Sequence, residues 1–221
     1  MVISGAGISA ESGIQTFRDA NGLWENHDIM EVASYDGWLK NPSLILDFYN
    51  KRRAQALRSK PNVAHTILAE LEKDFKVQIV TQNVDDLHER AGSSQVLHLH
   101  GELLKSRSSL REKIIYECKK DIVLGDLCEM GSQLRPHIVW FGEEVPLLEI
   151  AINQVQEADL LLVIGTSLLV YPAAGLIHYA PAHAKKFIID PNIPDNIPLD
   201  FIKIQATAVK GIQTFQNHIH E

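Results

Sequence analysis

The sequence predicts an α/β fold, a doubly wound parallel sheet of the Rossmann-like kind with a small inserted helical or irregular module. Short apolar runs that suit buried parallel strands alternate with segments of helical periodicity. Small or polar residues follow four of the predicted strands, at 5–9, 81–85, 165–167 and 190–192. Because the carboxyl ends of parallel strands meet at one edge of a sheet, we expect these turns to share one ligand site.

The predicted elements alternate along the chain as such a fold requires. Apolar runs predict strands, at 1–4, 77–80, 96–99, 159–164, 187–189 and 202–204. Asn-Pro at 41–42 and Pro-Asn at 61–62 are helix start signals, because proline suits the first turn and asparagine caps it. Further helices are predicted at 150–158 and 210–220.

Composition limits the classes of function. With 221 residues, 45% of them hydrophobic, the chain can bury the core of one larger domain with a small insert. A net charge of −7 argues against nucleic-acid binding and suits a cationic, lysine-containing partner. Two cysteines exclude a disulfide scaffold, and no apolar run approaches the roughly 18 residues of a membrane span. With no visible signal peptide, we expect a cytoplasmic protein without membrane partners.

The stretch at 77–102 carries the strongest chemical signal. One apolar strand leads into a polar turn that holds Asn83, Asp85 and Asp86, and a second apolar strand ends in His100. Taken singly, an Asn-x-Asp turn is more often a helix cap, and a histidine is more often structural. Together they bring an amide, two carboxylates and an imidazole to one rim of the predicted sheet.

A glycine turn opens the chain. Gly5-Ala6-Gly7 permits a tight turn in which backbone N–H groups approach a pyrophosphate at a helix start. The next glycine comes late, at Gly13, so the turn departs from the common dinucleotide fingerprint. On its own, the turn is equally compatible with a plain connection from strand to helix.

Longer motifs extend these signals. GAGIS with a downstream FRD, TQNVDDLHERAG followed by HLHGEL, and GTSLLVYPAAG together resemble the sirtuin family, the NAD-dependent protein lysine deacylases. The resemblance covers nearly the whole chain in family order, and it implies NAD as cofactor and acyl-lysine proteins or peptides as partners. It assigns NAD contacts to Gly5, Ala6, Gly7, Phe17, Arg18, Gln82, Asn83, Asp85, Gly165, Thr166, Ser167, Asp190, Asn192 and Ala208.

The resemblance also implies a mechanism. The acyl-lysine carbonyl oxygen attacks the nicotinamide ribose and expels nicotinamide, and the products are lysine, nicotinamide and O-acyl-ADP-ribose. An amide oxygen is a poor nucleophile, so the site must hold it in line. In this scheme Asn83 orients the ribose or a water, Asp85 helps to orient the nicotinamide, and His100 is the general base for a ribose hydroxyl.

Tyr49 and Arg52 suggest which acyl group is removed. Without the family match, they belong to a helical face that we would interpret as solvated and basic. The resemblance likens this Tyr-x-x-Arg pair to the acyl pocket of the desuccinylase and demalonylase branch. Side chains three residues apart share a helix face and can hold a carboxylate together. We therefore expect succinyl or malonyl to be favoured, with acetyl possible.

The segment at 139–143 is the expected peptide site. On its own it is typical of a buried strand with a turn, whereas the resemblance makes it an edge strand that pairs with the main chain of the substrate. The implied contacts are Val139, Phe141, Gly142 and Glu143, and the acyl-lysine passes between Phe141 and His100.

The predicted domain boundaries follow the change in character along the chain. We assign 1–24, 61–102 and 136–221 to the NAD-binding domain, and 25–60 and 103–135 to the small inserted module. Most sirtuins carry zinc in this module, bound by two Cys-x-x-Cys pairs.

This chain has only Cys118 and Cys128 in the module, and a structural zinc site needs four ligands. We therefore predict no zinc, although metal shared between chains or completed by histidine stays an alternative. Apolar residues are expected to hold the module instead, namely Ile114, Ile115, Tyr116, Ile122, Val123 and Leu124.

Three functions are compatible with the sequence. The first is deacylation, and the second is ADP-ribosyl transfer, which uses the same activation of NAD but a different acceptor. The third is a non-catalytic NAD-binding or interaction module. The presence of both His100 and Asn83 argues against the third.

Overall fold

The computed structural model describes residues 1–15, 23–24 and 27–220. In chain order its strands are β1 (Val2–Ser4), β2 (Leu23–Trp24), β3 (His27–Asp28), β4 (Ile79–Thr81), β5 (Val96–His98), β6 (Gly101–Ser108), β7 (Ile115–Glu117), β8 (Leu134–Ile138), β9 (Leu160–Ile164), β10 (Lys185–Ile189) and β11 (Phe201–Ile204). Its α-helices are α1 (Gly7–Ala10), α2 (Ile29–Val32), α3 (Tyr35–Lys40), α4 (Pro42–Arg58), α5 (Val63–Glu70), α6 (Leu87–Ala91), α7 (Leu148–Gln156) and α8 (Ala208–His220). Short 3-10 helices span Leu71–Lys73 and Ala173–Tyr179.

The central sheet has six strands in the order β11-β10-β9-β1-β4-β5, and every neighbouring pair is parallel. The chain runs from β1 to β4 and β5 on one side, and later forms β9, β10 and β11 on the other. The direction of winding therefore reverses between β1 and β9, which is where open α/β sheets bind ligands. This arrangement confirms the predicted doubly wound α/β fold.

Alternate residues of the strands pack into separate cores on the two faces of the sheet. Val2 belongs to the core formed with α5 and α8, whereas the next residue, Ile3, belongs to the core formed with α7. A fully buried aliphatic side chain contributes about 1.5–3 kcal/mol of hydrophobic stabilisation. The strand pattern thus fixes the sheet from both sides and leaves its carboxyl edge for other contacts.

The predicted helix start signals are confirmed. The side chain of Asn41 accepts a hydrogen bond from the backbone N–H of Leu44 at 3.1 Å, and Pro42 is the first residue of α4. Asn62 caps α5 in the same way, accepting from Ala64 N at 3.0 Å.

The inserted module is built from α2, α3, α4 and a three-stranded antiparallel sheet in the order β7-β6-β8. These elements share a third core, which contains Val32, Ala33, Trp38, Ile45, Leu46, Phe48, Tyr49, Ala56, Leu103, Cys118, Ile122, Ile138 and Trp140. The regular sheet was not expected from the sequence of this segment. The domain boundaries stay a prediction, and β8 crosses the one placed at residue 135.

Three of the apolar residues expected to hold the module do not do so. Ile115, Val123 and Leu124 expose 43%, 55% and 57% of their surface, so they contribute little burial. Of the six residues named, Ile122 alone is buried. Its backbone also exchanges two hydrogen bonds with the Asn50 side chain, at 2.9 and 3.0 Å. Hydropathy does not distinguish a buried strand from an exposed turn, which is why the prediction was wrong here.

The two cysteines are buried free thiols. Cys128 Sγ lies 3.0 Å from Ser132 Oγ, which in turn lies 2.7 Å from Ser108 Oγ. Within the described ranges, no group of three or more His, Cys, Asp or Glu side chains could hold a metal ion. The helices of the same ranges include none that is long and apolar enough to cross a membrane.

Candidate active site

A cleft of about 550 Å³ lies at the carboxyl edge of the central sheet, beside the inserted module. Every predicted site residue that the structure describes lines it: Gly5, Ala6, Gly7, Tyr49, Arg52, Gln82, Asn83, Asp85, His100, Val139, Phe141, Gly142, Glu143, Gly165, Thr166, Ser167, Asp190, Asn192 and Ala208. Phe17 and Arg18 lie outside the described residues. The four predicted turns therefore meet at one place.

Two glycine turns meet backbone to backbone at the reversal point of the sheet. The N–H of Gly7 donates to the carbonyl oxygen of Gly165 at 2.7 Å. A Cβ atom on Gly7 would lie 2.8 Å from Gly165 Cα, and one on Gly5 would lie 2.7 Å from Thr166 Cβ. Gly165 itself has φ +64°, in the left-handed region that favours glycine. Side chains at these positions would force the two turns apart.

Ser9 joins two of the predicted catalytic residues. Asn83 Nδ2 donates to Ser9 Oγ at 3.0 Å, and Ser9 Oγ donates to Asp85 Oδ2 at 3.1 Å. Burial raises the pKa of Asp85, although hydrogen bonds from Leu87 N–H and Ser9 oppose this shift. The amide and the carboxyl group are thus held in fixed positions at the end of β4.

His100 is placed by the turn between β5 and β6. Its carbonyl oxygen accepts from Val139 N at 2.9 Å, and the next residue, Gly101, has φ +86°. Burial lowers the pKa of the imidazole, while a hydrogen bond with the Gln82 backbone opposes the shift. A histidine with a lowered pKa is neutral at pH 7 and can accept a proton.

His98, two residues earlier at the end of β5, lies outside the cleft lining. Its Nδ1 lies 2.9 Å from the carbonyl oxygen of Asn83 and its Nε2 lies 2.7 Å from Glu89 Oε1. Burial opposes protonation, but the bond to Glu89 and its charge outweigh that effect and raise the pKa of His98. The two histidines therefore have opposite pKa shifts.

Tyr49 and Arg52 line the cleft and are both buried on α4. Trp140 Nε1 donates to the Tyr49 hydroxyl oxygen at 3.0 Å. Burial raises the pKa of Tyr49 to about 12, against the lowering effect of the Arg52 charge. A phenolic hydroxyl and a guanidinium group thus line one wall of the cleft.

Glu143 also lines the cleft, but its carboxylate binds two buried arginines. Arg135 forms a bidentate pair with it at 2.7 and 2.9 Å, and Arg107 Nη2 donates to both carboxylate oxygens at 3.1 and 3.2 Å. The backbone N–H of Trp140 donates to Glu143 Oε2 at 2.8 Å. These bonds fold the segment at 139–143 into a tight turn.

That turn replaces the edge strand expected at 139–143, so the prediction of a strand there is wrong. Strand β8 ends at Ile138, and Phe141 instead forms a single bridge with Ser34. Phe141 N donates to Ala33 O at 2.9 Å, and Gly142 has φ +88°. The positive φ and the contacts of Glu143 end the strand.

The cleft is also lined by Asp190 and Asn192 after β10, and by Ala208 at the start of α8. Asp190 is buried and accepts from Asn192 N at 2.8 Å. The hydroxyl of Thr207, beside Ala208, is buried without a hydrogen-bond partner among the described residues. Gln82 Nε2 donates to Thr166 Oγ1 at 3.1 Å and so links the turns after β4 and β9.

Sequence reasoning missed three features of the site. Ser9 and Trp140 lie within the predicted segments at 5–9 and 139–143 but received no role of their own, and Thr207 was not singled out. The position of Trp140 between two predicted peptide contacts was the one signal that could have singled it out. The contacts of Ser9 and Trp140 join residues 74 to 91 positions apart, so no local pattern indicates them.

Comparison with known proteins gives the family. A model of the Sir2 family matches residues 5–172. The chain belongs to the Sir2 family. A Sir2 relative in Helicobacter pylori (strain ATCC 700392 / 26695), named NAD-dependent protein deacylase, is 59% identical over 214 residues, which are 96% of this chain and 93% of the relative. One of the same name in Bacteroides thetaiotaomicron is 53% identical over 201 residues, 88% of this chain and 86% of the relative.

Solved Sir2 structures share the fold. A Sir2 homologue in complex with NAD superposes with a TM-score of 0.89 at 36% sequence identity, covering 100% of this chain and 88% of that one. A mutant Sir2 homologue in complex with ADP-ribose gives a TM-score of 0.90 at 36% identity, covering 100% of this chain and 91% of that one.

Proposed function

We propose that this Sir2-family chain is an NAD-dependent protein lysine deacylase that favours acidic acyl groups, succinyl or malonyl, over acetyl. The observation that carries the proposal is that Tyr49 and Arg52 line the same cleft as His100. A buried guanidinium group is stabilised by an anionic partner, which a succinyl or malonyl carboxylate supplies and an acetyl group does not.

The nucleotide end of the cleft fits NAD. Gly5 and Gly7 lie too close to Gly165 and Thr166 to carry side chains, so a pyrophosphate can approach the main chain of this turn. Asp190 and Asn192 provide a carboxylate and an amide suited to ribose hydroxyls. The hydroxyl of Thr207, which has no hydrogen-bond partner in the described part of the chain, suits a polar atom of the adenosine.

When bound, NAD supplies the bond between nicotinamide and ribose whose cleavage drives the transfer of the acyl group. His100 is the general base, because its lowered pKa keeps the imidazole neutral and able to accept a hydroxyl proton at pH 7. Asn83 orients the ribose or a water, and Ser9 fixes its amide at 3.0 Å. Asp85, held by the same serine, orients the nicotinamide amide.

The acyl-lysine peptide binds at the mouth of the cleft. Phe141 is partly exposed and lies with Val139 and Gly142 on the side of the cleft nearest the module. The acyl-lysine passes between Phe141 and His100, which directs the acyl carbonyl to the nucleotide and the distal carboxylate to Arg52.

A panel of peptides tests this function. Peptides that carry succinyl-, malonyl- or acetyl-lysine are incubated with NAD, and mass spectrometry measures peptide and nucleotide products for the wild type and Arg52→Met. Arg58→Met is the matched control, because Arg58 is exposed on the same helix α4. We expect the preference for succinyl over acetyl to fall about tenfold or more in Arg52→Met only, since a hydrogen bond to a charged group contributes roughly 1.5–3 kcal/mol.

An equal preference in the wild type and Arg52→Met would refute the acyl assignment. Label from NAD that stays on protein, with little O-acyl-ADP-ribose, would indicate ADP-ribosyl transfer instead of deacylation. A cytoplasmic location and the absence of nucleic-acid and membrane partners stay predictions from the sequence.

A further inference from the structure

The hydrogen bond between Trp140 and Tyr49 fixes the direction of the Tyr49 hydroxyl. The two side chains are almost fully buried, at 2% and 1% exposure, and both line the cleft. An indole N–H is only a donor, so the Tyr49 oxygen must accept at this contact of 3.0 Å. The hydroxyl hydrogen then has to point elsewhere, and no acceptor for it occurs in the parts of the chain that the structure describes.

The indole is itself held rigidly. The guanidinium carbon of Arg135 lies 3.4 Å from the centre of the Trp140 ring, and Trp38 packs on the same ring with centroids 5.6 Å apart. Glu143 binds the Trp140 backbone N–H at 2.8 Å and also holds Arg135. A cation over the ring draws electron density from the indole, which strengthens its N–H as a donor.

The charges around the tyrosine favour an anion in the cleft. The charges that act on Tyr49 are those of Arg52, Arg135 and Glu143, and Glu143 is bonded to Arg135. The hydroxyl of Tyr49 stays protonated at neutral pH, because burial raises its pKa to about 12. A hydroxyl donor beside two guanidinium groups suits an acceptor that carries negative charge.

We propose that Trp140 is a positioning residue that determines acyl selectivity. Its indole N–H occupies the acceptor side of the Tyr49 hydroxyl, and the hydroxyl therefore donates into the cleft, to a carboxylate at the distal end of the acyl chain. The inference rests on the proposed preference for acidic acyl groups. It assigns the orientation of Tyr49 to a residue that does not itself touch the reacting atoms.

Binding of peptides without NAD is the primary test. Isothermal titration calorimetry measures the dissociation constants of a succinyl-lysine and an acetyl-lysine peptide of the same sequence for the wild type, Trp140→Phe, Tyr49→Phe and the double variant. Trp38→Phe is the control, because it alters the same aromatic cluster outside the cleft lining. Deacylation kinetics with both peptides give the second readout.

We expect Trp140→Phe to weaken succinyl-peptide binding about tenfold, to change acetyl-peptide binding less than about twofold, and to raise KM more than it lowers kcat. In the Tyr49→Phe background the same substitution should have no further effect on selectivity, because the hydroxyl that it orients is absent. Trp38→Phe should keep the wild-type ratio of the two affinities.

Equal losses for both peptides, or additive losses in the double variant, would show that Trp140 only packs and would overturn the inference. If Trp140→Phe does not fold, β-(3-benzothienyl)alanine at position 140 keeps the fused ring but replaces N–H by sulfur. It should reproduce the selective loss, and an unchanged ratio would contradict the role of the N–H. If the wild type binds both peptides with equal affinity, the proposed acyl preference itself is refuted before any variant is compared. The role of Trp140 then falls as well.

Discussion

The Nδ1 atom of His98 lies 2.9 Å from the main-chain carbonyl oxygen of Asn83. The other ring nitrogen faces Glu89, so a protonated imidazole donates to the site loop on one side and to a carboxylate on the other. His98 lies outside the cleft lining, but it holds the main chain of Asn83, the residue whose side chain we assign to the nucleotide. The relationship makes the stability of the loop dependent on pH.

We predict that the contribution of His98 to stability is lost at alkaline pH. The folded protein raises the pKa of His98, so this contribution is complete below the unfolded value of about 6.5 and disappears as pH rises through the folded pKa. Glu89→Gln should flatten this part of the curve, because it removes the charge that raises the pKa. Urea unfolding between pH 6 and 9 gives the free energy of unfolding of the wild type and of Glu89→Gln. Identical slopes of this energy against pH would contradict the assignment.

At acidic pH we predict a different loss of stability, caused by His65 and His88. Burial lowers the pKa of His65 to about 4 and that of His88 to about 3, so only the unfolded chain takes up these protons as pH falls below about 6.5. The free energy of unfolding should therefore be lower at pH 5 than above pH 6.5, by about 2 kcal/mol for each histidine. Urea unfolding at pH 7.5 and 5.0 tests this, with the exposed His183→Gln as a control that keeps the wild-type dependence.

His100→Ala should reduce kcat/KM for deacylation by about 100-fold or more, because general-base catalysis contributes at least that factor. The wild-type acid limb of kcat/KM should have its midpoint below pH 6.5, since burial lowers the pKa of His100. The exposed His178→Ala is the control. Full activity of His100→Ala, with unchanged products, would eliminate the imidazole as the base.

Ser9→Ala should lower kcat about tenfold while the protein stays folded. The substitution removes the hydroxyl that joins Asn83 to Asp85, and a lost buried hydrogen bond costs about 1–2 kcal/mol. Ser12→Ala is a matched control, because its hydroxyl contacts Asn62 rather than these side chains. Steady-state kinetics compare the two variants, and equal effects would remove the special role of Ser9.

Glu143→Gln should destabilise the protein by about 3–5 kcal/mol, because it leaves Arg107 and Arg135 buried with no carboxylate between them. Glu144→Gln changes the same charge at an exposed neighbour and should be nearly neutral. Urea unfolding gives both values. If Glu143→Gln leaves the free energy of unfolding unchanged, the two arginines must find other partners.

The sequence predicted the position of the site well because strand ends in a parallel sheet are set by local patterns. The apolar run before Asn83 and the glycines before Ser9 are read directly from the chain, and sheet geometry then brings them together. Side-chain partners are different, because they depend on distant packing. Nothing local separates His98 from His100, yet one bonds Asn83 and Glu89 while the other lines the cleft.

The inserted module shows the same limit. Its segment at 103–135 has no clear period, so neither the β6 and β7 ladder nor the exposure of Val123 and Leu124 follows from its residues. The carboxylate of Glu143 likewise appeared available for a peptide, whereas two arginines that lie 36 and 8 residues earlier bind it. Such contacts are properties of the folded chain rather than of any window along it.

The position of β1 in the middle of the sheet has a consequence for biosynthesis. Ser4 pairs with Thr81 on one side and with Ile164 on the other, so the first strand completes its ladders only after three quarters of the polypeptide has left the ribosome. Contacts of such large sequence separation form slowly. Assembly of the coenzyme cleft is therefore a late event of maturation, and a nascent chain arrested before residue 160 should not retain the nucleotide.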